Sequence, residues 1–112
     1  MEHKIREDGD VIILEISGDV IGIPDATALN NLTHEFIDQN KIKVIFDLAG
    51  VVLMNSSGLG ILISALTSVR KAGGDIVFIN ISDRIKNILE ITKLDSIFRI
   101  FENKESAMKH FK

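Results

Sequence analysis

The sequence predicts an α/β fold: a single domain with a mixed, mainly parallel central sheet, an N-terminal hairpin and about four helices. Two strand-like runs joined by a tight turn open the chain, and helix-like and strand-like segments then alternate to its end. A hairpin followed by such alternation is typical of a sheet in which helices connect parallel strands. The 112 residues suffice for one hydrophobic core but not for two, so we assign residues 1–112 to one domain.

The first elements follow from turn residues and apolar spacing. His3–Glu7 predicts a short edge strand, and Asp8-Gly9 predicts a tight turn into a second strand, Val11–Ser17. The apolar run at 11–14 does not alternate, as expected for a strand covered on both faces. Pro24 suits the first position of a helix. The apolar face of that helix has helical spacing: Leu29, Leu32, Thr33, Phe36 and Ile37.

The central segment predicts a second long strand, Lys43–Leu48, followed by a short strand-like run, Val51–Met54. A long apolar helix then runs from about Ser57 to Ala72. Gly73-Gly74 is a typical helix end.

The last third of the chain repeats the alternation. Asp75–Asn80 predicts a strand, and Ser82 caps the helix after it, whose common face is Ile85, Ile88, Leu89 and Thr92. Ile97–Phe101 predicts the final strand. A short helix then begins at Asn103, with its inward side chains at Ala107, Met108 and Phe111.

The long apolar helix has two distinct faces. We assign the larger one to the core: Leu59, Leu62, Ile63, Leu66 and Val69. The second consists mainly of small residues: Gly58, Ile61, Ala65, Ser68 and Ala72. No charge precedes Arg70, whereas a surface helix normally carries charge on its outer face. This second face is therefore either a partner surface or a contact with a neighbouring helix.

The composition excludes several classes of function. The net charge is −3 and the basic residues are scattered, which disfavours direct binding of nucleic acid. The chain has no cysteine, so disulfide and thiol chemistry are excluded. We see no leader segment and expect a cytoplasmic location. The uncharged run Leu48–Val69 is long enough to cross a bilayer, but its Asn and Ser residues argue for a strand, a turn and a buried helix instead.

No constellation for catalysis or cofactor binding is recognisable. His3, His34 and His110 are far apart and lack paired spacing, so we expect no metal site. The glycine pairs match neither a dinucleotide fingerprint nor a phosphate-binding loop. Asp47, at the end of a strand, could serve as a catalytic acid, but we expect it to accept local hydrogen bonds. We therefore expect no enzymatic activity and no cofactor.

The segment Asn55-Ser56-Ser57 is the most informative one in the chain. Asn is a good helix N-cap, so Asn55 leaves both serines in the first turn of the long helix. Backbone N–H groups are unpaired there and the helix dipole favours negative charge. The fold would therefore tolerate a phosphate on Ser56, while about two negative charges would be added to the surface. The alternative is that the two serines only begin the helix.

At these residues the chain resembles STAS domains of the anti-sigma factor antagonist type. Their signature is a strand, then Asp-Ser-Ser/Thr-Gly-Leu-Gly, then an apolar helix, and it matches Met54–Gly60 here. The likeness extends over nearly the whole chain, in the segments Ile13–Val20, Val44–Leu48, Arg70–Phe78 and Leu89–Phe98.

This resemblance implies a protein that switches partners. The unmodified form would bind an anti-sigma factor that is also a serine kinase, phosphorylation of Ser56 would break the complex, and a serine phosphatase would reset it. We expect a monomer or weak dimer without membrane insertion. The expected partner-binding residues are Gly22, Asn55, Ser56, Ser57, Gly58, Ile61 and Ala65.

Two positions depart from the family pattern. Asn55 replaces the usual Asp, so a negative charge beside Ser56 is missing. Ile21 stands near the place of another Asp, and the following loop, Gly22–Asp25, is about one residue longer. The main alternative function is a STAS adaptor without a phosphorylation switch, in a signalling scaffold or a transporter complex. A small enzyme is a third possibility with little support beyond the α/β pattern.

Overall fold

Five strands and four helices alternate along the chain in the computed structural model, which describes residues 1–111. The strands are β1 (Glu2–Asp8), β2 (Val11–Val20), β3 (Lys43–Met54), β4 (Asp75–Ile79) and β5 (Arg99–Phe101). The helices are α1 (Ile23–Asp38), α2 (Ser56–Lys71), α3 (Asp83–Ile91) and α4 (Lys104–His110).

The strands form one sheet in the order β1-β2-β3-β4-β5. β1 is antiparallel to β2, and the remaining pairs are parallel. The hairpin closes between Asp8 and Val11, and Gly9 has a φ of +62°, a conformation that glycine adopts at no steric cost. A helix connects each parallel pair. The predicted α/β fold with a mixed, mainly parallel sheet, an N-terminal hairpin and four helices is confirmed.

The sheet is covered on both faces by different elements. Alternate residues of β2, β3 and β4, such as Leu14, Phe46 and Phe78, pack with buried residues of α1, α2 and α3. The other set forms a smaller cluster with α4: Val11, Ile13, Ile45, Val77, Ile79 and Ala107. Both faces of β2 are thus covered at its start, which explains why the run at 11–14 does not alternate.

The strand β3 is longer than predicted. The two runs that we separated, Lys43–Leu48 and Val51–Met54, belong to one strand, in which two register shifts against β2 each add a residue to β3. Such bulges interrupt the alternation from which strands are read in a sequence. Only Lys43–Asp47 also pairs with β4, so the second half of β3 has β2 as its sole strand partner within residues 1–111.

The final strand is shorter than predicted. It begins at Arg99 rather than Ile97. The amides of Ile97 and Phe98 donate to the carbonyl of Leu94 in a turn, so they are not available to the sheet. Phe98 still contributes to the core, where its ring stacks on that of Phe78 with centroids 4.7 Å apart.

The uncharged run at 48–69 is divided between β3 and α2. Within the described residues, no helix combines the length and the apolar character that crossing a bilayer requires.

The core face of α2 generates the first prediction. Leu62 and Leu66 are buried, whereas Ile61 on the second face is half-buried. Leu62→Ala and Leu66→Ala should each lower the free energy of unfolding by about 2–5 kcal/mol, because each leaves a cavity in the core. Ile61→Ala should cost clearly less. Chemical denaturation measures all three, and a loss at Ile61 equal to that at Leu62 would show that the two faces are assigned wrongly.

Candidate functional site

The candidate site lies where β3 ends and α2 begins. Asn55 is the N-cap of α2: its backbone is extended, and its side-chain oxygen accepts a hydrogen bond from the amide of Gly58 at 2.9 Å. The amide of Leu59 donates to the Asn55 carbonyl at 3.0 Å. The cap therefore has the geometry that its residue type predicts. Because the Asn side chain is neutral, the cap adds no charge to the helix N-terminus.

Ser56 and Ser57 occupy the first two positions of α2, and both are exposed. The first amides of a helix have no intrahelical acceptor. Those of Gly58 and Leu59 are satisfied by Asn55. The amides of Ser56 and Ser57 therefore remain available to an anion placed on either hydroxyl. Chemically, this arrangement can accept a phosphate, but it contains no group that could activate a nucleophile.

Gly58 sets the distance between α2 and the end of β2. A Cβ atom at this position would lie 2.0 Å from the carbonyl oxygen of Val20 and 2.8 Å from Cγ of Met54. No side chain fits in that space, so α2 approaches β2 more closely than any other residue would allow. Gly60, two positions after Gly58, has no heavy atom within 4 Å of such a Cβ.

A groove of about 500 Å³ separates the start of α1 from the first turns of α2. On the α1 side it is lined by Ile21, Gly22, Ile23 and Ala26, and on the α2 side by Ser57, Gly60, Ile61 and Ser64. A second groove of about 380 Å³ continues it along the two helices, past Asn30 and Ala65. Among residues 1–111, no charged side chain lines either groove.

Four large apolar side chains are exposed in this region: two line the groove, and two lie at the end of β3 shortly before the serines. They are Ile21 (39% exposed), Ile23 (82%), Val52 (75%) and Leu53 (41%), and we call them the apolar rim. The ends of β2 and β3 are adjacent in the sheet, since Asp19 pairs with Leu53 and Val20 with Met54. The segments on which the rim lies therefore converge at the start of α2. Clustered exposed apolar residues mark interaction sites.

The rim residues were not predicted as site residues. An apolar residue in a strand-like run is normally assigned to the core, and Val52 occupies the extra position of a bulge that no pattern revealed. The only sequence signal was the lack of any charge around the serines.

The structure divides the predicted partner-binding residues into two groups. Asn55 and Ser56 lie at the start of α2, and Gly22, Ser57 and Ile61 line the groove. Gly58 and Ala65 are instead buried. Of the two alternatives for the second face of α2, internal packing applies to Gly58 and Ala65. Asn55, Ser56, Ser57 and Ile61 offer side-chain surface to a partner, and Gly22 offers only backbone.

The other chemical candidates have structural roles. Asp47 accepts hydrogen bonds from the amide of Ala49 and the side-chain amide of Asn80, both at 3.0 Å. Nε2 of His110 lies 3.0 Å from the Asp75 carboxylate, which Arg70 and Arg99 also contact. Within residues 1–111, no group of three or more His, Asp or Glu side chains is arranged to hold a metal ion.

Comparison with known proteins agrees with this geometry. The model of the STAS domain family matches residues 2–107. The chain is 39% identical over 106 residues to the anti-sigma-B factor antagonist of Listeria monocytogenes, covering 94% of this chain and 91% of the relative.

Two solved structures have the same fold. The crystal structure of TM1081 from Thermotoga maritima superposes with a TM-score of 0.86 at 24% identity, over 96% of this chain and 92% of the other. The Bacillus protein SpoIIAA in its phosphorylated form superposes with a TM-score of 0.74 at 13% identity, over 99% of this chain and all of the other. At these identities the likeness concerns the fold alone.

The two glycines of the first turns give a matched test of the site geometry. Gly58→Ala should destabilise the protein by about 1–3 kcal/mol or more, because its Cβ collides with the backbone of β2. Gly60→Ala should instead stabilise it by about 0.5–1 kcal/mol, since alanine is the better helix former and the space is open. Denaturant titration of both variants checks this, and similar values for the two would contradict the close approach at Gly58.

Proposed function

This chain belongs to the STAS domain family and, within it, to the anti-sigma factor antagonists, and from that membership we propose that its unmodified form binds an anti-sigma factor with serine kinase activity. Binding sequesters the anti-sigma factor and frees a sigma factor for transcription. Anti-sigma factor antagonists are not enzymes, and in this proposal the chain is the substrate of its partner. We place the exchange in the cytoplasm, with the chain as a monomer or weak dimer.

The observation that carries the proposal is the position of Ser56 next to the apolar rim. Ser56 is exposed at the first position of α2, and no charged residue lies between Leu48 and Val69. An interface formed on this surface excludes water from apolar side chains. A phosphate at its edge brings about two negative charges that the interface would have to desolvate. Phosphorylation therefore opposes binding strongly.

The two segments that form this surface, residues 18–26 and 48–69, contain no basic side chain that could supply a counter-charge for the phosphate. The charged residues of the segment from Gly18 to Ala26 are Asp19 and Asp25, and both are acidic. A partner that fits the unmodified surface would have to provide its own basic group to tolerate the phosphate. The same charge is harmless to the free protein, because the amides of Ser56 and Ser57 can bind the phosphate oxygens. A serine phosphatase would then restore the binding form.

We assign the phosphate to Ser56 rather than Ser57 from the family resemblance, in which the modified residue directly follows the Asp/Asn position. Ser57 lines the groove, whereas Ser56 does not. The neutral cap at Asn55 is compatible with this assignment, because a phosphate on Ser56 meets no neighbouring carboxylate.

Asn55 also favours a second candidate function. Asn55 replaces the acidic residue of the family pattern, and a kinase that requires the acidic residue would not modify this chain. The chain would then be an adaptor that binds through the same surface in a signalling scaffold or a transporter complex, without a switch.

The switch predicts a specific effect of charge at one serine. Ser56→Asp should weaken the affinity for the purified anti-sigma factor at least about tenfold, or roughly 1.4 kcal/mol. Ser56→Ala should bind normally and resist the kinase. Calorimetry or surface plasmon resonance measures the affinities, and phosphopeptide mapping locates the modification.

Ser96→Asp is the matched control, because it adds the same charge at an exposed turn before β5, away from the start of α2. It should leave the affinity unchanged. Modification of Ser57 instead of Ser56, or wild-type affinity in Ser56→Asp, would refute the switch. Normal affinity for a partner combined with no phosphorylation would support the adaptor.

A binding protein of this kind should lack chemistry of its own. We expect the purified chain to contain no stoichiometric metal by elemental analysis and to show no hydrolase, transferase or redox turnover. Saturable turnover that disappears in Ser56→Ala would contradict this expectation.

A further inference from the structure

Residues 21–24, which comprise the two residues between β2 and α1 and the first two residues of α1, carry half of the apolar rim but have little to hold them in place; we call this segment the loop at 21–24. Ile21 and Ile23 are 39% and 82% exposed, so packing contributes little to their order. The N-cap of α1 is Gly22, which has no side chain to satisfy the first amides of the helix. Without another contact, this loop would be among the least ordered parts of the protein.

Asp25 provides that contact. One carboxylate oxygen accepts a hydrogen bond from the amide of Ile21 at 3.1 Å, and the other lies 3.2 Å from the α-amine of Met1. The side chain is only 16% exposed, and that of Met1 is 1% exposed. A single carboxylate in the first turn of α1 thus ties together the end of β2, the start of α1 and the residue before β1.

The chemistry of this contact favours a permanent negative charge. An acidic residue at the third helical position that reaches back to an amide before the helix corresponds to one half of a capping box. Its charge also interacts favourably with the helix dipole. The Ile21 amide and the Met1 amine hold the pKa of the Asp25 carboxyl below its usual value, so it is ionised at neutral pH.

We propose that Asp25 is a positioning residue for partner binding, which holds the loop at 21–24 in the conformation that presents Ile21 and Ile23 to the anti-sigma factor. This inference rests on the proposed function. An ordered loop binds without the entropy cost of fixing its backbone and side chains at the interface. Asp25 need not touch the partner, because its effect reaches the partner through the loop.

The experiment compares Asp25→Ala, Asp25→Glu and Asp38→Ala in the full-length, untagged chain. Asp38 is an exposed residue at the other end of α1, so its replacement removes the same charge from the same helix without touching the loop. Glu at position 25 keeps the charge and can still reach the amide before the helix. For each variant, amide hydrogen exchange at Ile21, the affinity for the purified anti-sigma factor and the unfolding free energy are measured.

In Asp25→Ala we expect exchange at Ile21 to become at least about tenfold faster and the affinity to fall about tenfold, beyond any change in global stability. Asp25→Glu should restore both, and Asp38→Ala should change neither. If Asp25→Ala unfolds, Asp25→Asn replaces it, since it keeps the shape and removes the charge.

Unchanged exchange at Ile21 would overturn the inference, as would faster exchange with unchanged affinity. Parallel measurement of Ser56→Asp separates this result from the proposed function. Wild-type affinity in Ser56→Asp overturns the switch, while the Asp25 series still decides whether loop order controls binding. If the wild-type chain itself does not bind the anti-sigma factor, both the proposed function and this inference fail.

Discussion

The contact between Gly58 and the Val20 carbonyl is the constraint on which the site depends. It brings the first turn of α2 against the end of β2, because a hydrogen atom occupies the position where a Cβ would lie 2.0 Å from that oxygen. The position of the two exposed serines next to the end of β2 follows from this approach, while the pairing of β2 with β3 brings the two strand ends together. A slightly larger separation would open the base of the groove and move Ser56 away from the apolar rim.

Most charged side chains lie away from the start of α2. The surface around the serines contains apolar side chains, hydroxyls and glycines. Apart from the covered contact of Asp25 with the Met1 amine, the ion pairs of the described residues lie elsewhere, such as the cluster in which Asp75 contacts Arg70, Arg99 and His110. Surface ion pairs of this kind contribute little stability individually. Their location leaves the start of α2 without charged side chains from residues 48–69, so no basic side chain of that segment offsets the charge of a phosphate there.

The neutral cap and the Asp25 contact each fix the start of a helix beside the proposed interaction surface. α2 uses the Asn55 side chain, which caps without charge next to the serine. The N-cap of α1 is Gly22, which forms no side-chain bond, and Asp25 fixes the residue before it by accepting a hydrogen bond from the Ile21 amide. The charged carboxylate of Asp25 is largely covered. The neutral side chain of Asn55 lies next to Ser56, the residue for which we propose a phosphate.

The sequence by itself determined the order and type of the elements, because apolar spacing, glycine turns and N-cap residues act locally. It also located the cap at Asn55 and the exposed serines, since these depend on neighbours within four residues. The prediction from sequence was wrong about the extent of β3, because bulges interrupt the alternation of buried and exposed residues. It was also wrong about the start of β5, because the amides of Ile97 and Phe98 donate to a carbonyl in a turn.

The tertiary structure alone decided what surrounds Ser56. Whether Gly58 and Ala65 face a partner or the interior depends on how closely α2 approaches β2 and α1, which no local pattern records. The exposure of Ile23 and Val52 and the contact of Asp25 with the Met1 amine likewise arise only when segments distant in the sequence meet. The spacing of apolar residues along the chain predicts which residues share a face of a helix or strand. What that face contacts is decided only by the packing between elements.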